Sequence, residues 1–197
     1  SGLSVMPVSS SEKLARLKND FYSPFSHERE TVRPGYHQVH LDRWDISVEL
    51  TASKRAGFHR YRYPQGKPRQ ILIPMRGKLG PVEISKGEIR RLNDREFAGF
   101  VMNDMTRRRP KPTPVFFHIR LDTPVERLDG WLGGKALQDV DSVEGRDGGA
   151  LLTLVPGSEP VLMQVGISYT SAEGAKRNLD TEIPHMDFDR VATQARD

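Results

Sequence analysis

The sequence predicts a mainly β protein, an antiparallel β-sandwich with helix confined to residues 11–19 and 171–196. Three observations carry this. Residues 44–50 (WDISVEL) alternate, with Trp44, Ile46, Val48 and Leu50 on one side and polar residues on the other. That is the period of a strand with one buried face. Residues 58–63 (FHRYRY) alternate again after a short polar connection at 51–54, so the two runs read as a hairpin. With these two and the run at 3–8, about ten strand-length segments reach residue 169, punctuated by turn residues in the manner of a sandwich rather than a βαβ fold.

Taken in order, residues 3–8 (LSVMPV) form a short apolar strand that runs into a serine cluster. A strand so near the start, without a hairpin partner, implies a sandwich that is incomplete at its N-terminal end. Leu14 and Leu17, three apart, suggest the helix at 11–19. Pro34-Gly35 is a turn signal, because proline fixes φ and glycine is free to take φ > 0. Beyond the hairpin come strands at 70–75, 82–84 and 88–92, with Gly77, Gly80 and Gly87 between or within them. Further strands are expected at 96–102, 114–121, 150–155 and 161–169, and residues 115–121 alternate cleanly.

The texture changes at Thr170. Thr170-Ser171-Ala172-Glu173 reads as a capping box, and Pro184 stops the helix that follows. Asp187 is placed to cap a second helix at 188–195. Residues 1–169 are thus expected to be the sandwich, and 170–197 a helical linker towards a further domain. Ala175, Leu179, Ile183, Phe188 and Val191 form an apolar set expected to lie against that domain. Left wet, this set and the unpaired edge of 3–8 would drive self-association.

At 197 residues the chain can bury roughly 70% of its unfolded surface. Its 36% hydrophobic and 28% charged residues describe a folded globular protein. No apolar run approaches the roughly 20 residues of a membrane-spanning helix, so no membrane partner is expected. Ser1-Gly2-Leu3-Ser4 has neither a basic region nor an apolar core, so any targeting segment is expected outside this sequence. The absence of cysteine excludes disulfides and thiolate metal sites. A formal charge of +4 is modest; the densest cluster, Arg107-Arg108-Arg109-Pro110-Lys111, reads as a solvated loop. No interleaved aromatics support nucleic-acid stacking there.

His27 and Glu28, with Glu30, are the most inviting polar cluster, since imidazole and carboxylate bind sugars and cations. The simpler reading is a network tying this loop to the sheet. Trp131, beside Gly130, Gly133 and Gly134, invites a sugar-stacking role if exposed and a core role if not. His59 and His118 sit within strands and read as sheet residues. Residues 139–145 (DVDSVEG) fail as a calcium loop, because Val143 and Glu144 occupy positions that require an oxygen ligand and glycine. An acidic hairpin loop is expected there instead. Asp187 and Asp189 are too close on one helix to flank a glycosidic bond, so the motifs reveal no catalytic centre.

Two separated stretches carry a family resemblance. One runs through Ser26-His27-Glu28, Glu30, Pro34-Gly35-Tyr36, Val48-Glu49-Leu50-Thr51-Ala52 and Arg55-Ala56-Gly57-Phe58-His59-Arg60-Tyr61. The other runs through residues 166–171 (GISYTS), 175–182 (AKRNLDTE) and 187–189 (DFD). Together they resemble the N-terminal domain of glycoside hydrolase family 92, calcium-dependent exo-acting α-mannosidases. The resemblance implies a supersandwich of the galactose-mutarotase-like type, packed on a C-terminal helical toroid. It implies single-step inverting hydrolysis of terminal α-mannosides in glycans, with both domains lining the site. It places the catalytic acid, the base and the principal calcium ligands in the helical domain, so it carries no catalytic residue or calcium ligand onto this sequence. His27, Glu28 and Trp131 are the carbohydrate-binding candidates, and a secreted or periplasmic parent is implied. The other reading is a free-standing carbohydrate-binding or scaffolding sandwich. The helix pair at 171–195 favours the first, since a free-standing module has no need of a linker.

Overall fold

The computed structural model describes residues 3–12, 14–79 and 82–196. Ser1, Gly2 and Gly80, named above, lie outside the described residues. In chain order the strands are β1 (Met6–Val8), β2 (Thr31–Arg33), β3 (Tyr36–Leu41), β4 (Ile46–Ala52), β5 (Ala56–Arg62), β6 (Gln70–Met75), β7 (Gly77–Leu79) and β8 (Val82–Arg91). There follow β9 (Glu96–Asn103), β10 (Thr113–Leu121), β11 (Val125–Leu132), β12 (Lys135–Leu137), β13 (Ser142–Arg146), β14 (Gly148–Leu154) and β15 (Val161–Ser168). Among the described residues helix is confined to α1 (Leu14–Leu17), a 3-10 turn at His27–Arg29, α2 (Ala172–Glu182) and α3 (Phe188–Gln194).

The strands make two antiparallel sheets. The smaller runs β1-β6-β14-β11-β12, and the larger runs β13-β8-β9-β10-β15-β5-β4-β3-β2, with β7 attached to β8. In each sheet a late strand joins parts that are separate in sequence: β14 lies between β6 and β11, and β15 between β10 and β5. The alternation in residues 44–50 is realised as read, with Trp44, Ile46 and Val48 buried in the inter-sheet core. The same core takes Ile71, Ile73 and Leu152 from the small sheet and Phe97, Phe117 and Met163 from the large one.

Several expectations are corrected. Residues 82–84 and 88–92 are one strand, β8, with a register shift between Ile84 and Lys86 that hides its continuity in the sequence. β11 was not foreseen, because Glu126, Arg127 and Asp129 interrupt its apolar pattern. The acidic loop expected at 139–145 becomes strand β13 from Ser142, paired with β8 through Val143↔Ile89. The first helix shrinks to one turn, anchored by buried Leu17. Ser171 rather than Thr170 caps α2, its Oγ accepting from Gly174 N–H at 3.0 Å.

The largest correction concerns α2 and α3. Ala175, Leu179, Ile183, Phe188 and Val191 are all buried within this chain and do not wait for another surface. They form a second core with Ala56 and Phe58, on the outer face of the large sheet. The reason lies in the strands: this patch of outer face carries Ala56, Phe58, Leu162 and Gly166, too apolar to stay wet. Two glycines allow the approach. A Cβ on Gly166 would lie 2.3 Å from the Ala175 carbonyl oxygen of α2. Gly35, at φ +69°, lets the β2–β3 turn meet Ala195 just beyond α3, where a Cβ would lie 2.5 Å from its carbonyl oxygen. The helical half of the expected self-association drive is therefore absent.

Candidate functional site

The polar residues that the sequence singles out lie on and around the β2–β3 hairpin. Ser26 caps the 3-10 turn, its Oγ accepting from Glu28 N–H at 3.2 Å. The turn aims His27 and Glu30 at one another, and the hairpin brings His37 up from β3. The Glu30 carboxylate bridges the two rings, with Oε2 2.5 Å from His27 Nδ1 and Oε1 2.9 Å from His37 Nε2. Hydrogen bonding to His27, and then to His37, holds the Glu30 carboxyl below its ordinary value. The structure thus joins His27 to Glu30, while the exposed Glu28 carboxylate makes no ion pair among the described residues. His37 was missed by sequence reading; the Pro34-Gly35 turn, which folds residue 37 back beside residue 32, was the available signal. Phe25 sets its ring edge-on to His27, with centroids 5.3 Å apart.

Beside this array runs a groove of about 710 Å³ between the β2–β4 strands and α3, lined by Arg33, Tyr36, His37, Leu50, Glu182 and Gln194. On the other side of the β4–β5 turn, a more apolar mouth of about 630 Å³ opens between the sheets next to β1. Its rim carries Phe21 stacked on Tyr22, and its lining includes His59. The His59 Nδ1 lies 2.8 Å from the Tyr61 hydroxyl, and burial lowers its pKa to about 4, so the ring is neutral at pH 7.

Trp131 does not belong to either opening. It is fully buried, with its ring over Gly149 of the paired strand β14, where a Cβ would come within 2.1 Å of the ring. The exposed, sugar-stacking reading of this residue is therefore corrected: Gly149 across the sheet makes room for a core ring. His59 and His118 are sheet residues, His118 being buried with Nε2 3.4 Å from Glu96 Oε1.

The best-developed charged network lies on the outer face between β4, β5 and α3. Buried Glu49 accepts from Arg60 Nε at 2.7 Å and Nη2 at 2.6 Å, and also from Arg62 Nη1. The Tyr36 hydroxyl is 2.9 Å from Glu49 Oε1 and from Gln38 Oε1. Burial pushes the Glu49 carboxyl up, but the hydrogen bonds from Arg60, Tyr36 and Arg62 outweigh it and bring the pKa down to about 2. Because the folded value lies below the unfolded one, this stabilisation is present in full above about pH 4.5 and is lost as pH falls towards 2. Glu49→Gln should therefore be less stable than the parent near neutrality, and the gap should close towards pH 2. Urea unfolding at several pH values checks this; a pH-independent gap would mean that charge at Glu49 is not what the network uses.

No acid–base pair for glycoside cleavage is assembled from the candidates. Asp187 caps α3 by accepting from Arg190 N–H at 3.0 Å, and Asp189 pairs with Arg60 at 3.1 Å. Calcium, which the family resemblance implies, also finds no cage here: among the described residues no three His, Asp or Glu side chains are arranged to hold a metal ion.

The fold places the chain among known structures. It superimposes on the family GH92 α-mannosidase BT3965 from Bacteroides thetaiotaomicron with a TM-score of 0.85 at 20% identity, covering 99% of this chain and 28% of that one. The inverting mannosidase BT2199 from Bacteroides thetaiotaomicron VPI-5482 gives 0.84 at 20% identity, with 98% and 25% covered. The GH92-family glycosyl hydrolase ccman5 gives 0.81 at 22% identity, with 99% and 27% covered. The chain thus spans about a quarter of the length of these proteins. No curated protein matches it. A family model described as the glycosyl hydrolase family 92 N-terminal domain matches residues 1–168, from the first residue to the end of β15. The chain belongs to glycosyl hydrolase family 92, as its N-terminal domain.

Proposed function

We propose that this chain is the non-catalytic sandwich domain of a calcium-dependent exo-α-mannosidase that removes terminal α-mannose from glycans by inversion, and that it shapes one wall of the sugar site against a helical catalytic domain. The observation that carries the reading is the family match over residues 1–168. The sandwich supports it in two ways. The two candidate acids on α3 are committed to a cap and an ion pair, which leaves general acid and base to come from elsewhere. The exposed end of the large sheet offers His27 and Glu28 beside the His37-lined groove, polar groups of the kind that orient sugar hydroxyls. Calcium in this reading is held by the helical domain, and the parent protein acts on glycans outside the cytoplasm.

The test compares two proteins on an aryl α-mannoside, with calcium and with chelator. The 197-residue chain alone should show no turnover, since general acid and base catalysis each supply about 10²–10⁴-fold. The full-length product of the natural gene should turn the substrate over and lose that activity on chelation. Turnover by the chain alone, or none by the full-length protein with calcium, would overturn the proposal.

A further inference from the structure

A further cavity, which shares Arg33 and Tyr36 with the His37-lined groove, lies where the β2–β3 turn faces α3. It measures about 380 Å³, and its polar lining is supplied by Arg33, Tyr36, Glu49, Arg60, Asp189 and Arg196. Three arginines therefore line one small space. They are not equivalent. Arg60 is spent: it bonds Glu49 twice, pairs with Asp189 and stacks 4.3 Å over the Phe188 ring. Arg33 rests 4.8 Å over the Tyr36 ring, which fixes its plane without using its N–H donors. Neither Arg33 nor Arg196 has a carboxylate partner among the described residues.

The local charge is unbalanced. Counting Arg62, which binds the same Glu49, four guanidiniums stand against the two carboxylates of Glu49 and Asp189. Both carboxylates are already engaged by Arg60, and Glu49 stays ionised. An ammonium ligand would be repelled by the remaining guanidiniums, and a neutral ligand could accept from their donors without offsetting their charge. A tetrahedral oxyanion would do both, because two guanidinium forks offer paired N–H donors matched to phosphate or sulfate oxygens.

We infer that the Arg33–Arg60–Arg196 cavity is an oxyanion-binding site for the phosphate or sulfate group of a ligand, with Arg33 and Arg196 as direct donors and Arg60 as the residue that positions the walls. The site joins the β2–β3 hairpin to the end of α3, so a bound anion would also fasten those two elements together.

Calorimetric titration of the chain with inorganic phosphate and with sulfate, against chloride at matched ionic strength, tests this. One saturable site is expected for phosphate, sulfate or both, and the tighter of the two assigns the ester class. Arg33→Gln and Arg196→Gln should each weaken binding about tenfold, the size of one charge-assisted hydrogen bond. Because both side chains are on exposed residues, the thermal midpoint without anion should stay within about 1–2 °C of the parent. The double variant Arg107→Gln/Arg108→Gln, on the distant basic loop, should bind as the parent does. Absence of saturable binding, or equal weakening by the Arg107/Arg108 pair, would overturn the inference and leave only diffuse charge attraction.

Discussion

Replacing Trp131 by alanine should cost about 3–5 kcal/mol of folding stability, the range for removing a large aromatic side chain from a packed core. The expectation follows from its position. Trp131 is the largest of the fully buried side chains and packs over Gly149 in a space that glycine leaves open. Alanine would leave a cavity that rigid paired strands cannot collapse to fill, whereas Trp131→Phe should recover much of the loss. Equilibrium unfolding in urea measures both. A Trp131→Ala variant of parental stability would show that the ring is not in the core, and would reopen the sugar-stacking role for it.

Phe188→Ala should have a comparable effect, again about 3–5 kcal/mol, but confined to one face. Phe188 holds the first turn of α3 against the large sheet: its ring meets Phe58 at 5.4 Å and Tyr36 at 6.4 Å, and carries the Arg60 guanidinium on its face. Removing it should free α3 and expose Phe58 and Leu162. The measurements are urea unfolding together with amide exchange, which should accelerate in α3 and not in β14. Uniform acceleration, or none, would contradict the two-core arrangement.

The contrast between these two residues shows what the sequence conveyed. Strands whose alternation is clean, such as β4 and β10, could be read directly, because period-2 patterning reports one buried face. β11 and β13 could not, since their burial comes from cross-strand pairing with residues far away in the chain. The apolar stripe on α2 was legible as a stripe; which surface it would cover was not. That depends on the outer face of β5 and β15 being apolar around Gly166, a fact visible only once the strands are in register. For the site, His27 and Glu30 were legible as neighbours, but His37 joins them through a turn, and Trp131 leaves them because its glycine neighbour is on another strand.

The positions of β14 and β15 have a consequence for how the protein is made. As the chain leaves the ribosome, β2 to β5 can assemble as one meander and β8 to β10 as another, since each pairs consecutive strands. The two cannot join until β15 inserts between β10 and β5, pairing Val161 with Tyr61 about a hundred residues upstream. The small sheet waits in the same way for β14. Until β15 has emerged, β5 and β10 therefore remain open edges, available to a neighbouring nascent chain. Closure of the two sheets comes only with β14 and then β15, so translation speed and chaperone access while residues 148–168 emerge bear on yield more than the stability of any single hairpin does.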